Sequence, residues 1–241
     1  MNISSRLEKF AIVSVGKSLS NSRKGVLPRL QDIADQTSAE FINEELLESE
    51  TLVFSSKQGL RDYFFSSEVL ARDPGGLVLD FGVATGDSTI MLGNALLDTE
   101  NRVVVGFDAF LGIRNEWSKP DRPPGSMTLG GVVPDRLAKH EKVELRVGWV
   151  EDTLPVFLDE RPERVGLVHL DLDVFPPTKF VLEALAPALR PGSLLVFDDY
   201  FGFIGWKMHS HRAFTESFDL SSFRCVGVSR GNVAFEYRGQ Q

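Results

Sequence analysis

The sequence predicts an α/β protein built on a mostly parallel sheet, and three observations carry that prediction. From residue 77 to residue 199, short continuous apolar runs alternate with stretches of helical length, the rhythm of buried parallel strands joined by crossover helices. Several runs end abruptly in an acid or a glycine, as strands do where a sheet opens onto a ligand edge. The last two runs, "FRCVGVS" and "NVAFEYR", are joined through "RGN", a turn short enough to return the chain antiparallel.

Taken in order, residues 1–36 are weakly patterned around "GKSLSNSRKGVLP" and read as a short helix or arm followed by loop. From Ser38 the spacing of Phe41, Leu46, Leu47, Leu52, Phe54, Leu60, Phe64, Phe65, Val69 and Leu70 predicts amphipathic helices, broken near Ser55–Ser56 and stopped by "RDPGG". "LVLDFG" (77–82) reads as a strand, followed by a helix from Asp87 to Leu97 and a second strand, "RVVVGFD" (102–108). A Gly/Pro-rich segment, 111–135, separates these from "VELRVG" (143–148) and a short helix near 153–160. Then come "VGLVHLD" (165–171), a helix from Pro177 to Leu189, "SLLVFDD" (193–199) and a helix-like "SHRAFTESF". The division expected is an N-terminal arm with helices, 1–72, acting as lid or interface, and one α/β domain, 73–241.

At 241 residues with 42% hydrophobic content the chain can bury a core, and its net charge of -8 argues against affinity for nucleic acid or anionic membrane. Its one cysteine, Cys225, excludes an intramolecular disulfide and a cysteine-based zinc site; within an apolar run it reads as a small core residue. With no secretory signal and no apolar run of spanning length, a cytoplasmic location is expected.

"LDFGVATGDST" places Gly82 and Gly86 in the turn between the first strand and its helix, where glycine lets backbone approach a ligand, and Asp87 or Ser88 can cap the helix. The G-x-x-x-G spacing is not that of a dinucleotide fingerprint, and a plain tight turn also explains it. Asp108, at the tip of the second strand about 20 residues on, is placed where open α/β sheets hold ribose hydroxyls. Together the two features favour a nucleoside ligand. Four acids, Asp171, Asp173, Asp198 and Asp199, sit at the tips of two later strands, where unpaired carboxylates are costly.

"LDFGVATGDST", "VVGFDAFLGI", "GWVEDTLPVFL", "HLDLDVFPPTKFVLEAL" and "RPGSLLVFDDYF" resemble class I S-adenosylmethionine-dependent methyltransferases, and within them the macrocin O-methyltransferase family, which acts on sugar hydroxyls in antibiotic biosynthesis. The resemblance covers roughly residues 77–218. It implies a Rossmann-like, seven-stranded, mostly parallel sheet with an antiparallel last strand, here with an N-terminal helical extension. It implies that Gly82, Ala84, Gly86 and Ser88 surround the methionine part of S-adenosylmethionine, that Asp108 holds the ribose, and that Gly148 and Trp149 lie by the adenine. It further implies that Asp171, Asp198 and Asp199 ligate Mg2+ or another divalent cation, whose preference is for hard oxygens. Asp173 is then the general base, projecting with Asp171 if the backbone there is extended; His169 is a second candidate that also reads as a packed strand histidine.

The chain departs from the family pattern at Phe175, where a tyrosine is usual. The segment "GIRNEWSKPDRPPGSMTLGG" resembles a mobile segment over the site, in which Trp117, Pro123 and Pro124 either cover the acceptor or shape a surface loop. His209 and His211 lack a third nitrogen or sulfur ligand nearby and do not read as a zinc site. The function expected is a metal-dependent O-methyltransferase acting on a hydroxyl of a small molecule, a sugar or other vicinal diol. The alternatives are a glycosyltransferase using D-x-D and a non-catalytic binding protein on the same fold. Neither nucleic acid nor membrane is an expected partner, and a homo-oligomer is left open.

Overall fold

Strands that follow one another along the chain are not simply neighbours in the sheet, because after a short first strand at one edge the chain enters the centre and winds outward from there in both directions. The computed structural model describes residues 25–73, 75–114 and 122–239. Its strands are β1 (Leu52–Val53), β2 (Leu77–Phe81), β3 (Val104–Asp108), β4 (Val143–Val147), β5 (Val165–Leu170), β6 (Leu194–Phe197), β7 (Phe223–Val228) and β8 (Val233–Tyr237). They form one sheet in the order β1-β7-β8-β6-β5-β2-β3-β4. From β2 the chain winds to β4, returns to the other side of β2 at β5, and continues to β6. The reversal of winding between the neighbours β2 and β5 leaves a crevice at the carboxyl ends of the strands, the topological switch point.

Of the expected strands, only β8 is antiparallel, inserted between β6 and β7. From Ser38 to Leu70 only helices were expected, yet this stretch also supplies β1, which pairs parallel with β7 and adds an eighth, edge strand. The helices are α1 (Val26–Phe41), α2 (Lys57–Phe64), α3 (Ser67–Leu70), α4 (Asp87–Ala95), α5 (Asp135–Ala138), α6 (Val150–Glu160), α7 (Phe175–Leu185) and α8 (Ser210–Ser217). α1 begins inside the stretch read as arm and loop; the rest of that stretch, residues 1–24, lies outside the described residues. α7 begins two residues earlier than its spacing predicted, because prolines in the first turn forfeit only amides that have no helical partner. No helix among the described residues is long and apolar enough to cross a membrane.

Side-chain alternation sorts the strands onto two cores. Leu77, Leu79, Phe81, Phe107, Val168, Leu170, Leu195 and Phe197 face a layer containing Leu154 and Phe157 of α6, Val181 and Leu182 of α7, and Phe214 of α8. Val78, Val104, Leu167, Val196 and Ala234 face Leu60 and Phe64 of α2, Leu70 of α3 and Leu92 of α4. The N-terminal helices α2 and α3 are thus one wall of the sheet's cover. Cys225 is buried, as its apolar run implied, and burial pushes its thiol up to about 12.

α1 docks on the segment after β6. Gln31 Nε2 donates to the Gly202 carbonyl at 2.9 Å, the Gly202 amide donates to Ser38 Oγ at 2.9 Å, and the Trp206 indole donates to Thr37 Oγ1 at 3.3 Å. Phe41 packs 5.3 Å from the Trp206 ring and edge-on to His211 at 5.0 Å. Burial, helped by Lys207, pulls the His211 imidazole down to about 4, so the ring stays neutral beside Tyr200 Oη, 3.1 Å away. Above about pH 6.5 the ring is neutral folded or unfolded; between there and pH 4 only the unfolded chain takes up the proton. His211 is therefore expected to contribute a loss of about 2–3 kcal/mol of stability as pH falls from 6.5 to 4. Urea melts at both pH values, with His211→Phe as comparison, test this: the variant should lose less over the same interval, and an equal loss would absolve His211.

Candidate active site

The site grows from the sheet itself, because the backbone ladder continues one residue past each strand. The amides of Gly82, Asp171, Asp198 and Gly148 donate to the carbonyls of Phe107, Phe81, Leu170 and Asp108, at 2.8–3.0 Å. The four tips therefore lie side by side in one row. Gly82 is there by necessity: at φ +88° a Cβ would stand 1.9 Å from the Asp171 carbonyl oxygen.

Beside this row a cleft is lined by Gly82, Ala84, Asp108, Gly148, Trp149, Asp171 and Asp173, with Gly112–Arg114, Met127 and Leu129 from the segment after β3. The four non-glycine residues with positive φ among the described residues, Ala84, Phe110, Met127 and Asp173, all line it. Left-handed backbone in side-chain-bearing residues costs energy and gathers where a ligand is clasped. The Asp108 carboxylate fixes two of them, accepting the Ala84 and Phe110 amides at 2.7 Å each. Arg114 lies 4.7 Å over the Trp149 ring and donates to Glu151 Oε1 at 2.8 Å, so the segment after β3 closes on the Trp149 side of the cleft. Trp117 lies outside the described residues.

Gly86, Ser88 and His169 are not on the cleft wall. Gly86 takes φ +90° and packs toward Leu137. Ser88 and Thr89 donate to Asp80 Oδ2 at 2.9 and 2.6 Å, and His169 Nδ1 meets Asp80 Oδ1 at 2.7 Å. Asp80 is the organiser of this buried knot and was not singled out from sequence, although an acid inside "LVLDFG" was its signal. Burial disfavours the His169 cation, but the carboxylate of Asp80 outweighs it and the imidazole is held above its ordinary range. Its Nε2 has no hydrogen-bond partner among the described residues.

The acids of β5 and β6 do converge. Asp171, Asp173 and Asp199 bring one oxygen each within 4.8 Å of one another, and His169, Asp171 and Asp198 bring ligand atoms equally close. Asp173 reaches this cluster by a route other than the one expected: it is not extended but left-handed, φ +64°. Burial and the Asp198 charge push Asp171 up to about 7. Asp198 is otherwise engaged, with Arg61 at 2.5 Å, Asn232 Nδ2 at 2.6 Å and Lys57 at 3.1 Å; burial disfavours its anion, but these cations hold it well below the usual carboxylate range. Lys57 also reaches Asp199 Oδ1, at 3.2 Å. Lys57 and Arg61, both on α2, were not anticipated: they lie outside the motifs and more than 100 residues from the acids they meet. Phe175, where the family pattern has tyrosine, lies under the Arg212 guanidinium at 4.2 Å.

A sheet in this order, with an antiparallel last strand and an acid closing the second strand beside a glycine turn, is the class I S-adenosylmethionine-dependent methyltransferase architecture. The chain belongs to the family described as "Methyltransferase domain", whose model matches residues 79–200. Over 149 residues it is 30% identical to the 8-demethyl-8-(2,3-dimethoxy-alpha-L-rhamnosyl)-tetracenomycin-C 4'-O-methyltransferase of Streptomyces olivaceus, covering 55% of this chain and 56% of that protein. The chain thus spans a little over half the length of this curated relative. The calicheamicin methyltransferase CalS11 superposes with TM-score 0.57 at 24% identity, over 95% of this chain and 92% of that one. The O-methyltransferase NovP does so with TM-score 0.58 at 20% identity, over 76% and 79%. The family assignment sets aside the glycosyltransferase alternative.

Proposed function

We propose that the protein transfers the methyl of S-adenosylmethionine to a hydroxyl of a sugar, with a divalent cation at the acid cluster. The observation that carries this reading is the meeting, at one row of strand tips, of the cleft bordered by Asp108 with the oxygen cluster of Asp171, Asp173 and Asp199. Three carboxylates with their oxygens this close fit a hard cation by donor chemistry, and burial with the charges of Asp198 and Asp199, which pushes Asp171 up, is a setting that a positive charge would relieve. Asp198, expected from sequence as a further ligand, lies in a close group with His169 and Asp171 and also pairs with Arg61 and Asn232, which brace it at the cluster.

When bound, S-adenosylmethionine supplies an electrophilic methyl, and the cation lowers the pKa of an acceptor hydroxyl. The chain's own part is to place them. Asp108 accepts the ribose hydroxyls on lone pairs left by its two amide bonds, Trp149 offers a face to the adenine as Arg114 moves aside, and Ala84 borders the methionine portion. Asp173, only 5% exposed and held in its strained conformation, takes the hydroxyl proton on its carboxylate. A deoxyhexose acceptor is favoured because the Streptomyces olivaceus relative is named for a rhamnosyl substrate, and a second structure of CalS11 is described as a TDP-rhamnose 3'-O-methyltransferase.

Thermal melting with and without S-adenosylhomocysteine tests the cofactor, since a ligand of the native state raises the midpoint. A rise is expected, and no rise would overturn the methyltransferase reading. Turnover of a nucleotide-linked rhamnose, followed by mass spectrometry, is expected to fall at least about tenfold in EDTA and to return with Mg2+. An EDTA-insensitive rate would remove the cation from the mechanism.

A further inference from the structure

We propose that Lys57 is a tethered counterion that occupies the acid cluster when no divalent cation is bound, and must swing out for one to enter. The inference rests on the cation reading above and adds a residue that controls it. The Lys57 ammonium lies 3.1 Å from the Asp198 carbonyl oxygen, 3.1 Å from Asp198 Oδ2 and 3.2 Å from Asp199 Oδ1. An ammonium has three donors, and all three meet oxygens of the β6 tip.

Helix stability does not account for a lysine there. Lys57 is the first residue of α2, where the helix dipole disfavours positive charge, and the cap is already made by Ser56 Oγ accepting the Gly59 amide at 3.0 Å. The placement is explained by what it faces. Its stem runs past Gly231 in the turn between β7 and β8, where a Cβ would come 3.3 Å from Lys57 Cε. Glycine there leaves the side chain room.

The two cations of α2 differ in how readily they leave. Arg61 has a side chain 19% exposed, pairs with Asp198 at 2.5 Å and stands 3.8 Å from Asp171. The Lys57 side chain is 41% exposed on a flexible four-carbon stem, its head reaching Oδ1 of Asp199, one of the acids of the cluster. Arg61 therefore remains as a fixed brace of Asp198, and Lys57 is the exchangeable charge. Ammonium and divalent cation compete for Asp199, so removing the ammonium deletes both the competitor and its repulsion of the incoming ion.

The test is Mn2+ binding to the full chain, followed by loss of the free-ion electron paramagnetic signal, in wild type, Lys57→Met, Lys57→Gln and Lys57→Arg. Both neutral variants are expected to bind at least about tenfold more tightly than wild type, and the arginine variant to stay within about twofold of it. Metal-free, the neutral variants should also melt below the wild type, with Mn2+ closing the gap, which a purely structural lysine would not produce. Mn2+ binding to wild type with unchanged or weaker affinity in the neutral variants overturns the role of Lys57 and leaves the cation site standing. No Mn2+ binding to any of the four overturns the cation site and this inference with it.

Discussion

Gly82→Ala is expected to cost about 3 kcal/mol or more of stability and to abolish S-adenosylhomocysteine binding. Two penalties fall on this position at once. The residue sits at φ +88°, where any side chain is strained, and the new Cβ would lie 1.9 Å from the Asp171 carbonyl oxygen. That oxygen is backbone and cannot rotate away, so relief requires β2 and β5 to part at their tips. Parting them moves Asp171 off the cleft wall and out of reach of Asp173 and Asp199. Gly192 provides the control: it has φ +95° but nothing within 4 Å of a Cβ, so Gly192→Ala carries the conformational penalty alone, about 1 kcal/mol. Urea unfolding of both variants separates the terms. Equal losses would show that the approach of the two strand tips is looser than it stands here.

Asp108→Ala is expected to weaken S-adenosylhomocysteine binding by about 10²-fold, on the scale of hydrogen bonds to a charged group. The carboxylate does more than wait for a ribose. It holds the amides of Ala84 and Phe110, whose backbones stand at φ 46° and 55°, so its removal frees both walls of the cleft to relax away from their bound shape. Asp108→Asn keeps one carbonyl acceptor and should fall between. Calorimetric titration checks this; if alanine and wild type bind alike, Asp108 is a brace of the loop and the ribose is held elsewhere.

What was legible in the sequence was what lies close along the chain. Period and run length located β2 to β8, because each buried strand is a continuous apolar run, and the tips announced themselves by interrupting that pattern with Asp or Gly. Of the cleft residues, Gly82 and Asp108 follow from the same tips, whereas Ala84, Gly148 and Trp149 come only from the resemblance to the family. Three things did not follow. β1 is two residues long, below the length at which any period shows. Asp173 was reached through an assumption of extended backbone, whereas a left-handed residue redirects the chain and no local pattern specifies it. Lys57 and Arg61 belong to the site only through tertiary packing of α2, since on their own helix they look like ordinary surface charges.

The pairing of β1 with β7 sets residue 52 beside residue 227, and α2, between β1 and β2 in the chain, packs on a wall that includes Ala234 of the last strand. Contacts so distant in sequence form late, because most of the chain must be ordered before the loop they close is worth closing. On the ribosome the N-terminal segment emerges first and has no finished surface to settle on until the C-terminal hairpin is made. Lys57 and Arg61 therefore reach the acids of β5 and β6 near the end of folding. Until then the acids of β5 and β6 lack those two cations, so completion of the sheet's edge and neutralisation of its acid cluster are expected together.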